Sequence, residues 1–150
     1  MARILVVEDD DAIRQLVCKV LSMAGHETEE AASGDEAVRR LADERFHLVV
    51  LDLMLGAISG WDVLEEAGRR GVRDRFKVLM LTARRSERDF LHGWRMGVDQ
   101  YLTKPFEVDA LTEAVTDTLQ RSPEQLAARR KEELEKAELL YRLESAFQRW

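Results

Sequence analysis

Five side chains, Glu8, Asp9, Asp52, Thr82 and Lys104, follow four separate apolar runs in this chain. The clearest case is His47–Leu55, HLVVLDLML, in which Leu48–Leu51 run directly into Asp52. Burying an unpaired carboxylate is very costly, so an acid at that place belongs at the tip of a buried strand. Ile4–Val7 end in Glu8, Asp9, Asp10 and Asp11, Phe76–Leu81 end in Thr82, and Tyr101-Leu102 lead into Thr103-Lys104-Pro105. If the four tips meet, three carboxylates crowd together, repel and raise one another's pKa values unless something compensates. An all-oxygen cluster of this kind suits Mg²⁺ or Mn²⁺. A lysine and a hydroxyl opposite the metal complete a cradle for a phosphoryl group, with Asp52 as the nucleophile that forms an aspartyl phosphate.

For the tips to meet, the runs must be neighbours in one sheet. Short continuous apolar runs suit strands buried on both faces. Helix-period patterns separate them: Ile13, Leu16, Val17, Val20 and Leu21; then Ala37, Val38 and Leu41 behind the capping box Ser33–Glu36. Trp61, Val63 and Leu64 begin a third helix, Phe90, Leu91 and Trp94 mark a fourth behind Ser86, and Val108, Leu111, Val115 and Leu119 a fifth. Residues 26–31, with three glutamates and a threonine, read as a polar edge strand. Strand–helix alternation repeated five times predicts an α/β fold with a doubly wound parallel sheet. The flavodoxin-like order 2-1-3-4-5 puts the polar strand at an edge and sets the strands ending at Val7 and Asp52 side by side. One of the early aspartates serves as the cap of the first helix, which leaves the other acids unexplained by capping.

VVEDD, LVVLDLML, LMLTA and DQYLTKPF, in this order and spacing, resemble the receiver domain of two-component response regulators over about residues 1–121. The resemblance implies that Asp52 is the phosphoacceptor, Asp9 a direct metal ligand, Glu8 an acid acting on the metal largely through water, and Met54 a backbone-carbonyl ligand. It implies that Thr82 and Lys104 contact the phosphoryl oxygens, that Tyr101 changes rotamer as the threonine moves, and that the Lys104–Pro105 bond is cis, which proline permits. It implies a switch rather than an enzyme, phosphorylated by a histidine kinase or phosphotransfer protein. A downstream protein partner or a second copy of the chain receives the signal, through a face built from the fourth helix, fifth strand and fifth helix. Arg84, Arg85, Arg88 and Arg95 lie near that face. Two positions depart from the family pattern. Gly56 replaces a usual proline, which should loosen the loop 56–60, and Glu8 replaces the commoner aspartate.

Other classes fit less well. A phosphatase of the haloacid dehalogenase type needs a second aspartate two residues after the nucleophile, where this chain has Met54. A flavin carrier needs a phosphate-binding loop after the first strand, where Glu8–Asp11 would repel phosphate. A phosphorylation-independent scaffold assembling through the C-terminal helix is the remaining alternative. The net charge of −6 argues against direct nucleic-acid binding. A single cysteine, Cys18, excludes an internal disulfide and reads as a packed thiol. With no bilayer-spanning run and no signal peptide, a cytoplasmic location without membrane contact is the expectation. His26, His47 and His92 show no metal-ligand spacing, and Trp61 and Trp94 read as packing residues.

Residues 122–150 form a separate helical extension. Ser122-Pro123-Glu124-Gln125 reads as a helix start, though Pro123 could instead kink one continuous helix. The 28 residues from Pro123 would span about 42 Å at ~1.5 Å per residue. Glu132 with Lys136 and Glu138 with Arg142 are favourably spaced pairs. Leu140, Leu143, Phe147 and Trp150 repeat like a short coiled-coil seam. Dimerisation through that seam, docking on the chain's own domain or on a partner, and a linker to a further domain are the three readings.

Overall fold

The computed structural model describes residues 1–83 and 86–148. Five parallel strands form one sheet in the order 2-1-3-4-5. The strands are β1 (Arg3–Val7), β2 (Glu27–Ala31), β3 (Leu48–Leu51), β4 (Lys77–Thr82) and β5 (Gln100–Thr103). Between them run α1 (Asp11–Met23), α2 (Gly34–Asp43), α3 (Gly60–Arg69) and α4 (Glu87–Arg95). Two further helices, α5 (Val108–Gln120) and α6 (Pro123–Gln148), complete the chain. A one-turn 3-10 helix, Arg73–Arg75, precedes β4 and has no counterpart in the sequence reading.

Alternation along each strand feeds two cores. Ile4, Val6, Leu48, Val50, Leu79 and Leu81 pack with Val17, Leu21, Leu111 and Val115 of α1 and α5. Leu5, Val7, Val49, Leu51, Val78 and Met80 pack on the other face with Val38, Leu41, Val63 and Leu64 of α2 and α3. A strand with both faces covered leaves no solvent side, which is why its sequence is apolar without alternation. β2 sits at an edge as its composition requires, and its glutamates are matched by Arg3, Arg14 and Arg40. His26 and His47 accept the backbone N–H groups of Ala2 and Arg3 through Nδ1, so both pin the start of β1.

Four helices start on side-chain caps, those at Ser33 and Ser86 where the sequence signals place them. Asp10 accepts the Ile13 N–H, Ser33 that of Glu36, Ser59 that of Asp62 and Ser86 that of Asp89. Ser122 and Gln125 exchange side-chain and backbone hydrogen bonds at the start of α6. Arg121 is extended, so α5 and α6 are two helices and Pro123 opens the second. The Lys77 ammonium donates to the carbonyls of Thr118, Leu119 and Arg121, satisfying the end of α5. Cys18 is half-buried, and burial pushes its thiol up to about 11, in keeping with an inert packed side chain.

α6 folds back along α4. Leu126 and Ala137 are buried, and Ala137 packs with Leu91 and Trp94 of α4. Arg129 donates to the Asp117 carboxylate at 2.6 Å and to the Asp99 carbonyl at 2.8 Å, and Arg130 pairs with the buried Asp99 carboxylate. Two expected pairings within the tail take other partners: Lys136 meets Glu133, and Glu138 turns to Arg95 of α4. Leu140, Leu143 and Phe147 of the expected seam are exposed, while Trp150 lies outside the described residues, as do Arg84 and Arg85.

Candidate functional site

Sheet register brings the strand tips together. Val7 lies opposite Leu51, so Glu8 and Asp52 leave β1 and β3 at the same level, with the Asp52 N–H on the Val7 carbonyl. Thr82 faces Thr103 at the ends of β4 and β5, and the Lys104 N–H donates to the Thr82 carbonyl at 2.9 Å. The parallel sheet thus collects residues from Glu8 to Lys104 at one edge, the C-terminal ends of its strands.

One carboxylate oxygen from each of Glu8, Asp9 and Asp52 lies within 4.8 Å of those of the other two. Glu8 and Asp52 are buried, and Asp9 is exposed. The Lys104 ammonium bridges the buried pair, 2.7 Å from Glu8 and 3.0 Å from Asp52. Even so, burial pushes the Glu8 carboxyl up to about 7, and the Asp52 charge adds to that. The two neighbouring acids raise the Lys104 ammonium above its usual value against the opposing effect of burial. Among the described residues, two buried acids and a third at the rim face one lysine and are short of positive charge. An all-oxygen set with that deficit fits a divalent cation.

Local structure fixes each member. The capping of α1 is carried by Asp10, which frees Glu8 and Asp9 for the site. The Met54 N–H donates to Asp52 Oδ1 at 3.2 Å, and Met54 forms a bridge with Ser59 that closes the following loop. Gly56 has a φ of +86°, a conformation closed to proline, so the loop takes a path that the commoner residue could not follow. The loop is closed by this bridge and by the capping box of Ser59 with Asp62. The Lys104–Pro105 bond is cis.

Gly60 was not singled out by the sequence reading, because its role rests on a contact. A Cβ there would lie 2.6 Å from the Asp52 carbonyl oxygen and 3.1 Å from the Leu53 Cα. The Gly60 N–H also donates to the Leu53 carbonyl. Gly60→Ala is expected to push the β3 tip aside, cost about 1–3 kcal/mol, and weaken Mg²⁺ binding. Urea denaturation and a Mg²⁺ titration of the folded variant check both effects.

Tyr101 lies on β5, three residues before Lys104. Its ring makes edge contacts with Phe90 and Trp94, and its hydroxyl donates to the Asp89 carbonyl at 3.2 Å. Burial pushes the phenol well above its ordinary range. The ring needs Gly93, since a Cβ on that residue would fall 1.5 Å from the tyrosine hydroxyl. Trp61 and Trp94 are packing residues, and His92 stands edge-on to Trp61.

Two buried acids, a third acid at the rim and a lysine thus gather at the C-terminal edge of a sheet with the flavodoxin-like strand order. Residues 4–116 match the response regulator receiver domain, and the chain belongs to that family. It is thus a receiver domain of the two-component response regulators, whose members are phosphorylation-dependent switches. It is 39% identical over 119 residues to the phosphate regulon transcriptional regulatory protein PhoB of Escherichia coli, covering 79% of this chain and 52% of that protein. It is 37% identical over 122 residues to the DNA-binding dual master transcriptional regulator RpaA of Synechocystis, covering 81% of this chain and 51% of that protein. Among solved structures it resembles the response regulator TrrA of Thermotoga maritima in complex with Mg²⁺ and BeF. There the TM-score is 0.69 and the identity 35%, covering 79% of this chain and 99% of that one.

The chain spans about half the length of the curated relatives it matches. These relatives correct one expectation. Net charge argued against a nucleic-acid partner, yet the matched proteins are transcriptional regulators, one of them named as DNA-binding. The charge of a receiver region therefore does not exclude such a role for a protein that carries it. No helix among the described residues is long and apolar enough to cross a membrane.

Proposed function

We propose that residues 1–121 form a switch that accepts a phosphoryl group on Asp52 from a histidine kinase or histidine phosphotransfer protein, with residues 122–150 as a helical extension. The observation that carries this reading is the Lys104 ammonium set between Glu8 and Asp52 with Asp9 beside them. Glu8, Asp9, Asp52 and the Met54 backbone carbonyl are the groups that would hold Mg²⁺ or Mn²⁺. When bound, the cation offsets the repulsion between the acids and the incoming phosphoryl oxygens.

The chain's own residues do the rest. An Asp52 carboxylate oxygen attacks phosphorus, an O–P bond forms, and the P–N bond to the donor imidazole breaks with its electron pair leaving on nitrogen. Lys104 holds Asp52 in place and places a positive charge where the phosphoryl oxygens arrive. The Thr82 hydroxyl, at the end of β4, is the neutral donor for the same oxygens. The role is that of a switch whose own chemistry is confined to gaining and losing this group, and its output follows from differential interaction of two states with the phosphate.

The test is Mg²⁺-dependent binding of beryllofluoride, followed by amide shifts in nuclear magnetic resonance spectra. Shifts centred on Glu8, Asp52, Thr82 and Lys104 that require Mg²⁺ are the expected result. An unchanged spectrum at saturating mimic, or changes indifferent to Mg²⁺, would overturn the assignment and leave the phosphorylation-independent scaffold.

A further inference from the structure

We propose that a cavity at the N-terminal edge of the sheet, against the root of α6, binds a small organic phosphate: a phosphate group carried on a ring-bearing body of nucleoside size. The site is separate from the phosphoacceptor, and its ligand is a second chemical input to the domain.

The cavity encloses about 640 Å³. The 3-10 helix and the start of β4 form one wall, the turn after α4 a second, and Pro123, Leu126 and Arg130 a third. Lys77 opens β4 and Thr82 closes it, so the cavity and the phosphoacceptor lie at opposite ends of the strands. Pockets of this size take whole metabolites, and a bare phosphate would leave most of the space unfilled.

Charge marks the site. Arg73, Lys77 and Arg130 line it together with one buried acid, Asp99, while Arg75 and Asp74 at the exposed rim offset each other. Asp99 is already committed: Oδ2 accepts the Val78 N–H at 2.9 Å, and Oδ1 pairs with Arg130. Arg73 and Lys77 are bonded to neutral carbonyls instead. The Arg73 guanidinium donates to the Gly97 carbonyl at 2.7 Å and, at longer range, to those of Phe76 and Met96. The Lys77 ammonium spends its three donors on the carbonyls of Thr118, Leu119 and Arg121. Carbonyl dipoles satisfy these hydrogen bonds and leave the net charge in place. Burial accordingly pushes the Arg73 guanidinium below its usual value. Four cations thus line the cavity against two acids, in a chain whose net charge is −6.

An oxyanion supplies the missing negative charge. A phosphate suits guanidinium groups, whose planar fork matches two of its oxygens. Arg130 meets Asp99 through Nη1, and its remaining N–H groups with those of Arg75 are the donors for the phosphate. Met96, Leu119 and Leu126 add apolar surface for the ring-bearing body. Because Leu126 and Arg130 belong to α6, a ligand bound here ties the root of that helix to the start of β4.

The test is titration of the full chain with adenosine monophosphate, adenosine or inorganic phosphate, followed by amide shifts in nuclear magnetic resonance spectra. Mg²⁺ is left out and a chelator added, so that the acids around Asp52 repel phosphate and the two sites are told apart. The expected result is saturable shifts with the monophosphate at residues 73–77, 97–99 and 126–130, half-complete below about 1 mM. Adenosine and phosphate are expected to bind about tenfold more weakly or less. No saturation by about 10 mM, or shifts centred on Glu8 and Asp52, would overturn the site. Adenosine binding as tightly as the monophosphate would overturn the need for an anion, and phosphate binding as tightly would overturn the organic body. Two variants test the charge. Arg75→Glu changes an exposed side chain and Arg73→Gln keeps amide donors for the carbonyls, and each is expected to weaken binding about tenfold. Parent affinity in both would overturn the proposal.

Discussion

Asp52→Asn is expected to abolish phosphoryl incorporation, with labelling by acetyl phosphate and Mg²⁺ falling below about 1% of the parent rate. The amide has nearly the shape of the carboxylate and keeps an oxygen to accept the Met54 N–H, but it is a poor nucleophile. No neighbour takes its place readily. Glu8 is buried, bound to Lys104 at 2.7 Å and pushed up by burial to about 7. Asp9 is exposed at the rim. The variant should also fold well, since it removes one of three crowded carboxylates while Lys104 keeps Glu8 as partner. Loss of labelling can then be read as loss of the acceptor. Intact-mass measurement with peptide mapping checks this, and labelling at an undiminished rate on Asp9 would move the acceptor there.

The largest stability effect is expected at Asp99, which the sequence reading passed over. This buried carboxylate accepts the N–H of fully buried Val78 at 2.9 Å through Oδ2 and pairs with Arg130 through Oδ1. The Asp99 charge also faces Arg73, whose guanidinium burial pushes below its usual value. Asp99→Ala leaves a buried N–H and the Arg130 guanidinium without this acceptor and removes the negative charge near Arg73, a loss of about 3–5 kcal/mol. In a chain of 150 residues that corresponds to roughly 10 °C in Tm. Asp99→Asn keeps an oxygen for Val78 and should cost less than half as much. Thermal and urea unfolding of both variants separate the hydrogen bond from the charge. Adding Arg130→Ala to Asp99→Ala should cost little further, because the pair is already broken.

Both residues follow an apolar or turn segment and both are acids, yet only one was legible. Asp52 closes Leu48–Leu51, and a lone acid after a four-residue apolar run is a local signal of a strand tip. Asp99 precedes a short strand, where an acid also reads as an ordinary loop residue, and its partners Val78 and Arg130 lie 21 and 31 residues away. The strands, their order, a cap among the early aspartates, the caps at Ser33, Ser86 and Ser122, and the placement of Glu8, Asp9, Asp52, Thr82 and Lys104 at strand ends were all readable in this way. Each rests on residue type and short-range spacing, which the backbone converts directly into strand tips and helix starts.

What the tertiary structure alone decided concerns close approach and competition between partners. Gly60 and Gly93 matter because another group, the Asp52 carbonyl or the Tyr101 hydroxyl, occupies the space a Cβ would need. No local pattern marks that space. The tail's helical character was evident from its sequence, but its partner was not. Local spacing offered Arg142 to Glu138 and a seam of apolar residues to a second helix, and the fold instead presented Arg95 and the Leu91–Trp94 face of α4. A helix whose apolar residues are scattered around it settles by tertiary packing on whichever apolar surface is nearest, and that surface exists only after α4 and β5 have packed.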